Sequence, residues 1–369
     1  MWGRAESGVK IIDDLITNGL PVPSTVLVLG DPGSGKSTLC QQFLSHNLKN
    51  GGNGIYVAYE EHPEDICRTM HNFGWYNEDL EKSGRLFFID STSVNPSDYN
   101  TLNLKLTEAL EKMKNGEAIR IVIDSLTALF SAGTQEFRLG LDFIRNINAK
   151  VRNYGSLCLY TLNRKGFDEE TTALVKDVSD GVIELKMEEE LGLLRSYIRV
   201  LKMRGTDHSR RWMPYSIDSN KGLTFYIPRI LVVGPEESGK STIMKHFKAR
   251  RWKVGDFEAE AILCETLDSS FVKATRSKDI SGILLVIDST RPESFPEALE
   301  TLAKIETPGL PVVVLANKQD LPGAITPENA KEEMGLPKEI PVLGAVGTEG
   351  VGVEEVVRTL IKNIVKLPV

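Results

Sequence analysis

The feature that most limits what this chain can fold into is a phosphate-loop signature that occurs twice. GDPGSGKST (30–38) and GPEESGKST (234–242) both satisfy G-x-x-x-x-G-K-[ST], and each directly follows a short apolar run, STVLVL (24–29) and ILVV (230–233). The signature works only where a strand ends, a loop curls its backbone N–H groups inward, and a helix starts at the lysine. Two such loops therefore demand two strand–loop–helix units, each built on a mostly parallel sheet covered by helices.

The rest of the chain fits that demand. GIYVAYE (54–60), RLFFID (85–90), IRIVIDS (119–125) and SLCLYTL (156–162) read as buried strands. Helical periodicity separates them: Leu102, Leu106, Ala109, Leu110 and Met113 share one face, as do Phe137, Leu141, Ile144 and Val151. From 183 the pattern changes to two long strands with a polar turn at 188–192, followed by a hairpin over 214–227 with Asn220-Lys221-Gly222 at its turn. This is an antiparallel extension of the first sheet. GILLVIDS (282–289), PVVVLANK (311–318) and IPVLGAV (340–346) continue the second unit. The expected fold class is α/β, with two P-loop domains at 1–227 and 228–369. Only Pro228 separates FYI from RILVVG, so close docking is expected rather than free tethering.

In the first loop, Gly30, Asp31, Pro32, Gly33, Ser34, Gly35, Lys36, Ser37 and Thr38 form the cradle. Gly33 and Gly35 permit the tight path, Lys36 supplies a cation to the β- and γ-phosphates, and the Ser37 hydroxyl reaches Mg²⁺. Asp124 ends an apolar strand, where a carboxylate can hold the same metal. Glu60 and Glu61 lie just past another strand and suit the positioning of an attacking water.

SGVKIIDDLITNGLPVPSTVLVLGDPGSGKST, YVAYEEHPEDI, VIDS, VSDGVIELK (178–186) and VLKMRGTDHS (200–209) together resemble the KaiC-type RecA-like ATPases over residues 5–226. The resemblance implies a hexameric ring with ATP held between neighbours, Glu60 and Glu61 as catalytic glutamates, and Lys202, Arg204 and His208 reaching the neighbour's nucleotide. Cations delivered in trans act like an arginine finger. The chain carries one such domain, and Lys176 and Asp177 stand where the clock member's second repeat has an autophosphorylated Ser-Thr pair. ATP hydrolysis without self-phosphorylation there is expected.

In the second loop, Gly234, Glu237, Ser238, Gly239, Lys240, Ser241 and Thr242 repeat the cradle, with Ser241 placed for Mg²⁺. Downstream, Asn317-Lys318-Gln319-Asp320 ends a strand. Asp320 can accept paired hydrogen bonds from guanine, Asn317 can tie this loop to the phosphate loop, and the Lys318 stem can stack on the base. Ala345 and Val346 offer a third element, with the Ala345 N–H expected to meet the guanine oxygen. Residues 229–369 thus resemble the Ras- and Arf-like small GTPases, which implies GTP/GDP binding. Where that family has D-x-x-G, this chain has Glu265 and Asp268, followed by Ser269 and Ser270 rather than a water-orienting Gln. Guanine-nucleotide binding with little hydrolysis is expected, with GDP favoured.

A net charge of −7 disfavours a general nucleic-acid binder. Cys40, Cys67, Cys158 and Cys264 show no paired spacing, which fits reduced thiols in a cytoplasmic protein. No leader and no membrane span are expected. The leading reading is a ring-forming regulatory ATPase that engages a protein partner through its second domain. Two alternatives stay open: a DNA-handling RecA-like ATPase, for which RKGF (164–167) and RGTDHSRR (204–211) argue, and an adaptor in which both nucleotides are structural.

Overall fold

The computed structural model describes residues 3–92, 98–113, 117–127, 134–190, 193–228, 230–247, 251–254, 257–260, 280–305 and 309–365. Glu265, Asp268, Ser269, Ser270 and Cys264 lie outside these residues, as do residues 191–192 of the expected turn. The described residues divide into two compact units; the chain passes from the first to the second between Phe225 and Tyr226, and Glu190 and Leu193 are grouped with the second.

The first unit opens with β1 (Gly3–Ala5), α1 (Lys10–Leu15) and β2 (Leu20–Val22), then β3 (Ser24–Gly30) and α2 (Lys36–Lys49). It continues through β4 (Asn53–Ala58), α3 (Pro63–Asn72), α4 (Asp79–Lys82), β5 (Leu86–Asp90), α5 (Tyr99–Lys112), β6 (Ile119–Asp124), α6 (Thr134–Asn153), β7 (Leu157–Asn163) and α7 (Glu169–Val178). It closes with β8 (Gly181–Glu190), β9 (Leu193–Met203), β10 (Met213–Asp218) and β11 (Gly222–Phe225). Among the described residues these make a nine-stranded sheet in the order β11-β10-β9-β8-β3-β7-β6-β4-β5. The pairs from β8 through β5 are parallel, while β9, β10 and β11 run antiparallel.

Every residue of β3 is buried, as a strand covered on both faces must be. Leu27 and Leu29 pack with Leu106 of α5 and Phe143 and Val151 of α6. On the other face α2 lies so close to β4 that a methyl group at Gly54 would stand 2.8 Å from Leu44. Strand alternation thus puts the phosphate-loop helix on one face and α5 and α6 on the other.

The second unit contains β12 (Ile230–Val233), α8 (Lys240–Phe247), a separate antiparallel pair β13 (Arg251–Val254) and β14 (Phe257–Glu260), then β15 (Gly282–Asp288), α9 (Phe295–Lys304), β16 (Val312–Asn317), α10 (Pro327–Glu333), β17 (Val342–Gly344) and α11 (Val353–Val365). Its parallel sheet runs β12-β15-β16-β17. Ile230 and Val232 face α8 and α11, whereas Leu231 and Val233 face α9 and α10. The two units differ in topology. β7 separates the loop-bearing β3 from β6, whereas β12 pairs directly with β15. No helix among the described residues is long and apolar enough to cross a membrane.

Candidate functional site

In the first unit, the ends of β3, β4 and β6 share one edge of the sheet. Ala58 pairs with Asp124 across β4 and β6, and the Tyr59 N–H donates to Asp124 O (2.9 Å). Glu60 and Glu61, just beyond β4, therefore come level with Asp124. The Asp124 carboxylate is held from two sides: the Tyr56 hydroxyl donates to Oδ2 (2.7 Å) and the Thr161 hydroxyl to Oδ1 (2.5 Å). The Ser125 hydroxyl donates to the Glu60 carboxylate.

Lys36 sits at the start of α2, where its ammonium donates to the carbonyls of Gly30 (3.1 Å) and Asp31 (3.0 Å). Burial lowers its pKa, against the pull of Asp124, Glu60 and Asp31. Burial raises the Glu61 carboxyl, and Asp124, Asp65 and Glu60 push it further the same way. Asp31 Oδ1 and Ser34 Oγ are buried without a partner among the described residues. Polar atoms left so in a cradle invite a polar ligand. The Ser37 hydroxyl, half-buried, and Asp124 are hard oxygen donors of the kind Mg²⁺ takes alongside phosphate oxygens.

The β10–β11 hairpin braces this loop. The Tyr215 hydroxyl donates to Ser34 O, and Gln42 of α2 both donates to Leu223 O (3.4 Å) and accepts from Leu223 N (2.8 Å). Lys202, Arg204 and His208 are not drawn to the same chain's Lys36. Lys202 and Arg204 reach the last carbonyls of α7, at Lys176 and Asp177. His208 forms a backbone bridge to Ile16, its Nδ1 lies 3.1 Å from Thr206 O, and its Nε2 is buried.

In the second unit, Lys240 donates to the carbonyls of Gly234 (2.7 Å) and Pro235 (2.5 Å). Asn317 joins three segments: Nδ2 donates to Ser238 O (2.9 Å), and Oδ1 accepts from Gly347 N (2.9 Å). Gly239 lies so near that an added Cβ would stand 2.2 Å from Asn317 Nδ2, and its φ is +93°. Lys318 carries its ammonium to Asp288 Oδ2 (2.6 Å), a carboxylate also bound by Thr290. Asp320 is exposed, without a hydrogen-bond partner among the described residues. Glu237, in the loop, pairs with Arg291 (2.8 Å).

The main-chain N–H groups of Ala345 and Val346 are both engaged within the fold. The Ala345 N–H donates to Ala316 O (2.9 Å), a single hydrogen bond beyond the regular β17–β16 pairing that ends at Gly344, and Val346 N donates to Val351 O (2.9 Å). The first main-chain N–H in this loop without a partner among the described residues is that of exposed Thr348.

Sequence reasoning missed Tyr56, Thr161, Ser125, Tyr215 and Asp288. The available signal was a hydroxyl or carboxylate inside an otherwise apolar strand. A separate cleft of about 550 Å³ between α3 and α4 holds no chemistry of this kind. Of its lining residues, Lys82 pairs with Glu78, and Arg68 pairs with Asp65 outside the cleft.

Comparison with known proteins locates both units. The KaiC ATPase family model matches residues 5–229, and that of the Arf (ADP-ribosylation factor) family matches 274–364, a stretch that begins downstream of the second phosphate loop. A UPF0273 protein of Thermotoga maritima is 32% identical over 241 residues, covering 61% of this chain and 97% of its own. The circadian clock protein KaiC3 of Synechocystis is 31% identical over 231 residues, 60% of this chain and 45% of that one. The crystal structure of a KaiC-like protein from Pyrococcus horikoshii superposes with a TM-score of 0.54 at 28% identity, covering 61% of this chain and 100% of that one.

Proposed function

The chain belongs to the KaiC family of ATPases through residues 5–229, and from that membership we propose a ring-forming regulatory ATPase whose second, GTPase-like unit binds guanine nucleotide without an effective γ-phosphate switch. The observation that carries the reading is the gathering of Lys36, Asp124, Glu60 and Glu61 at or just past the ends of β3, β6 and β4 on one edge of the sheet.

In this reading the loop from Gly30 to Thr38 cradles ATP and Lys36 neutralises its terminal phosphates. Ser37 and Asp124 would hold Mg²⁺, which when bound neutralises phosphate charge. Tyr56 and Thr161 keep the Asp124 oxygens aimed. Glu60, steadied by Ser125, orients water, and Glu61 takes its proton. A carboxylate with a raised pKa is the better base for that step. Lys202, Arg204 and His208 act on the nucleotide of a neighbouring subunit in a homo-oligomeric, hexameric ring, while the second unit engages a protein partner. Cytoplasmic placement, GDP preference and Ser241 as a second Mg²⁺ ligand belong to the same proposal, as do the domain limits 1–227 and 228–369.

Steady-state ATP turnover by the full chain tests the core of this. Lys36→Ala is expected to abolish turnover, and Lys240→Ala to leave it within about two-fold, since independent sites behave additively. An undiminished rate in Lys36→Ala removes the assignment.

A further inference from the structure

Lys202 and Arg204 stand at and just past the end of β9, beside the C-terminal end of α7. The last carbonyls of a helix lack intrahelical partners and carry partial negative charge. Lys202 Nζ takes those of Lys176 (2.9 Å) and Asp177 (3.2 Å), and Arg204 Nη2 takes that of Asp177 (2.9 Å). Asp180 follows, with its side chain 7% exposed. Its Oδ1 lies 3.5 Å from Arg204 Nη1 and 3.3 Å from Arg152 Nη2. Its Oδ2 accepts from the N–H (3.1 Å) and the hydroxyl (3.2 Å) of Thr25. The main chain repeats the link: Arg204 N donates to Asp180 O, and Asp180 N to Thr25 O, both at 2.9 Å. Thr25 belongs to β3, the strand that carries the phosphate loop.

We propose that Asp180 is the positioning residue of the Lys202–Arg204 pair, holding the Arg204 fork against the end of α7 so that its remaining N–H groups are presented to a neighbouring subunit's nucleotide. This rests on the trans role assigned above to those cations. The Arg204 side chain is still 52% exposed, so the hold leaves donors available. A free arginine carries about 2 kcal/mol of rotamer entropy, which must be lost when it meets developing phosphate charge. A fork already fixed loses less at that moment, so the benefit falls on the chemical step rather than on the chain's own ATP affinity. Thr25 pins Asp180 to the innermost part of the sheet, which makes the hold rigid.

The test uses the full chain assembled with ATP. Asp180→Asn is expected to lower kcat by about ten-fold or more while KM and the Kd for ATP stay within about two-fold. The effect is expected to vanish in an Arg204→Ala background, because the two residues act as one unit. Asp180→Glu recovers part of the loss. Arg152→Met, at an exposed neighbour of the same carboxylate, keeps the parent rate. If Asp180→Asn does not fold, Arg204→Lys carries the test: the ammonium keeps the charge but cannot engage Asp177 and Asp180 as a fork, and the same fall in kcat is expected. The inference is overturned if Asp180→Asn or Arg204→Lys turns over normally, if the Asp180 and Arg204 losses multiply, or if Arg152→Met is as damaging as Asp180→Asn. Failure of the trans role looks different: Lys202→Ala and Arg204→Ala then leave turnover intact.

Discussion

Glu61, the carboxylate proposed to take a proton, and Glu184, held charged among cations, sit in the same unit, and their surroundings shift their pKa values in opposite directions. Burial raises Glu61, and the nearby acids Asp124, Asp65 and Glu60 add to it. Its base form is lost as pH falls through that raised value, so the acid limb of kcat is expected above the ordinary glutamate pKa of 4.5. Glu61→Gln is expected to remove that limb and about 100-fold of the rate, measured as turnover against pH. Glu184 is the opposite case. Burial pushes its pKa up, but hydrogen bonds from Lys176 and Arg199 outweigh it and hold the carboxyl below its ordinary value. Its stabilising contribution is full above the unfolded glutamate pKa and is lost as pH falls through the depressed folded one. Glu184→Gln strands Lys176, Arg199 and Arg164 around a neutral group, for an expected cost of about 3 kcal/mol at neutral pH. Urea midpoints should show the gap narrowing in acid, and a gap constant with pH would refute the charge argument. Lys36 and Asp124 were legible in the sequence because their chemistry comes as a contiguous motif. Tyr56, Thr161 and Asp180 were not, because each meets its partner only through strand register, Tyr56 from β4 and Thr161 from β7 converging on the end of β6.

Among the elements, the connections that matter run from loop to loop rather than along the chain. Asn317, at the end of β16, fastens the second phosphate loop to the loop after β17. Asn317→Ala removes both bonds that tie the phosphate loop to the loop after β17. Guanine-nucleotide affinity is expected to fall by about 10- to 100-fold, as for loss of buried polar partners, with ATP turnover unchanged. Titration with a fluorescent GDP analogue reads this directly, and unchanged affinity would show that the clamp is irrelevant to the pocket. The strand and helix spans were largely legible, since β3, β15 and β16 are runs of apolar residues bounded by turn signals. The end of β17 was not: the apolar run continues through Val346, whereas regular pairing stops at Gly344 and a single further hydrogen bond occupies Ala345. Periodicity marks which residues are buried; it does not tell where a ladder stops and a binding loop begins.

For the whole molecule, two P-loop units of different topology in one chain raise the question of whether the second is live. Lys240, Asn317 and exposed Asp320 are the residues that the proposed guanine pocket would use, yet two acids, Glu236 and Glu237, lie in the phosphate loop itself. Burial lowers the Lys240 pKa, and the charges of Glu236 and Glu297 pull it back up. Each acid repels a polyanionic ligand, and the repulsion grows with phosphate count. Together with Glu265 and Asp268 in place of D-x-x-G, this is the ground for the proposed preference for the diphosphate. Equilibrium binding of labelled GDP, GTP and ATP to the full chain, beside Lys240→Ala, is expected to show GDP bound more tightly than GTP and both lost in the variant. Equal affinities would mean that the acids are harmless and the γ-phosphate is accommodated. No guanine binding at all would make residues 229–369 an interaction module carried on an ATP-driven ring. If binding holds, linkage sets one further condition: whatever factor GDP applies to ATP affinity, ATP must apply to GDP affinity. A factor of one in both directions would mean that the two units share a chain but not a signal.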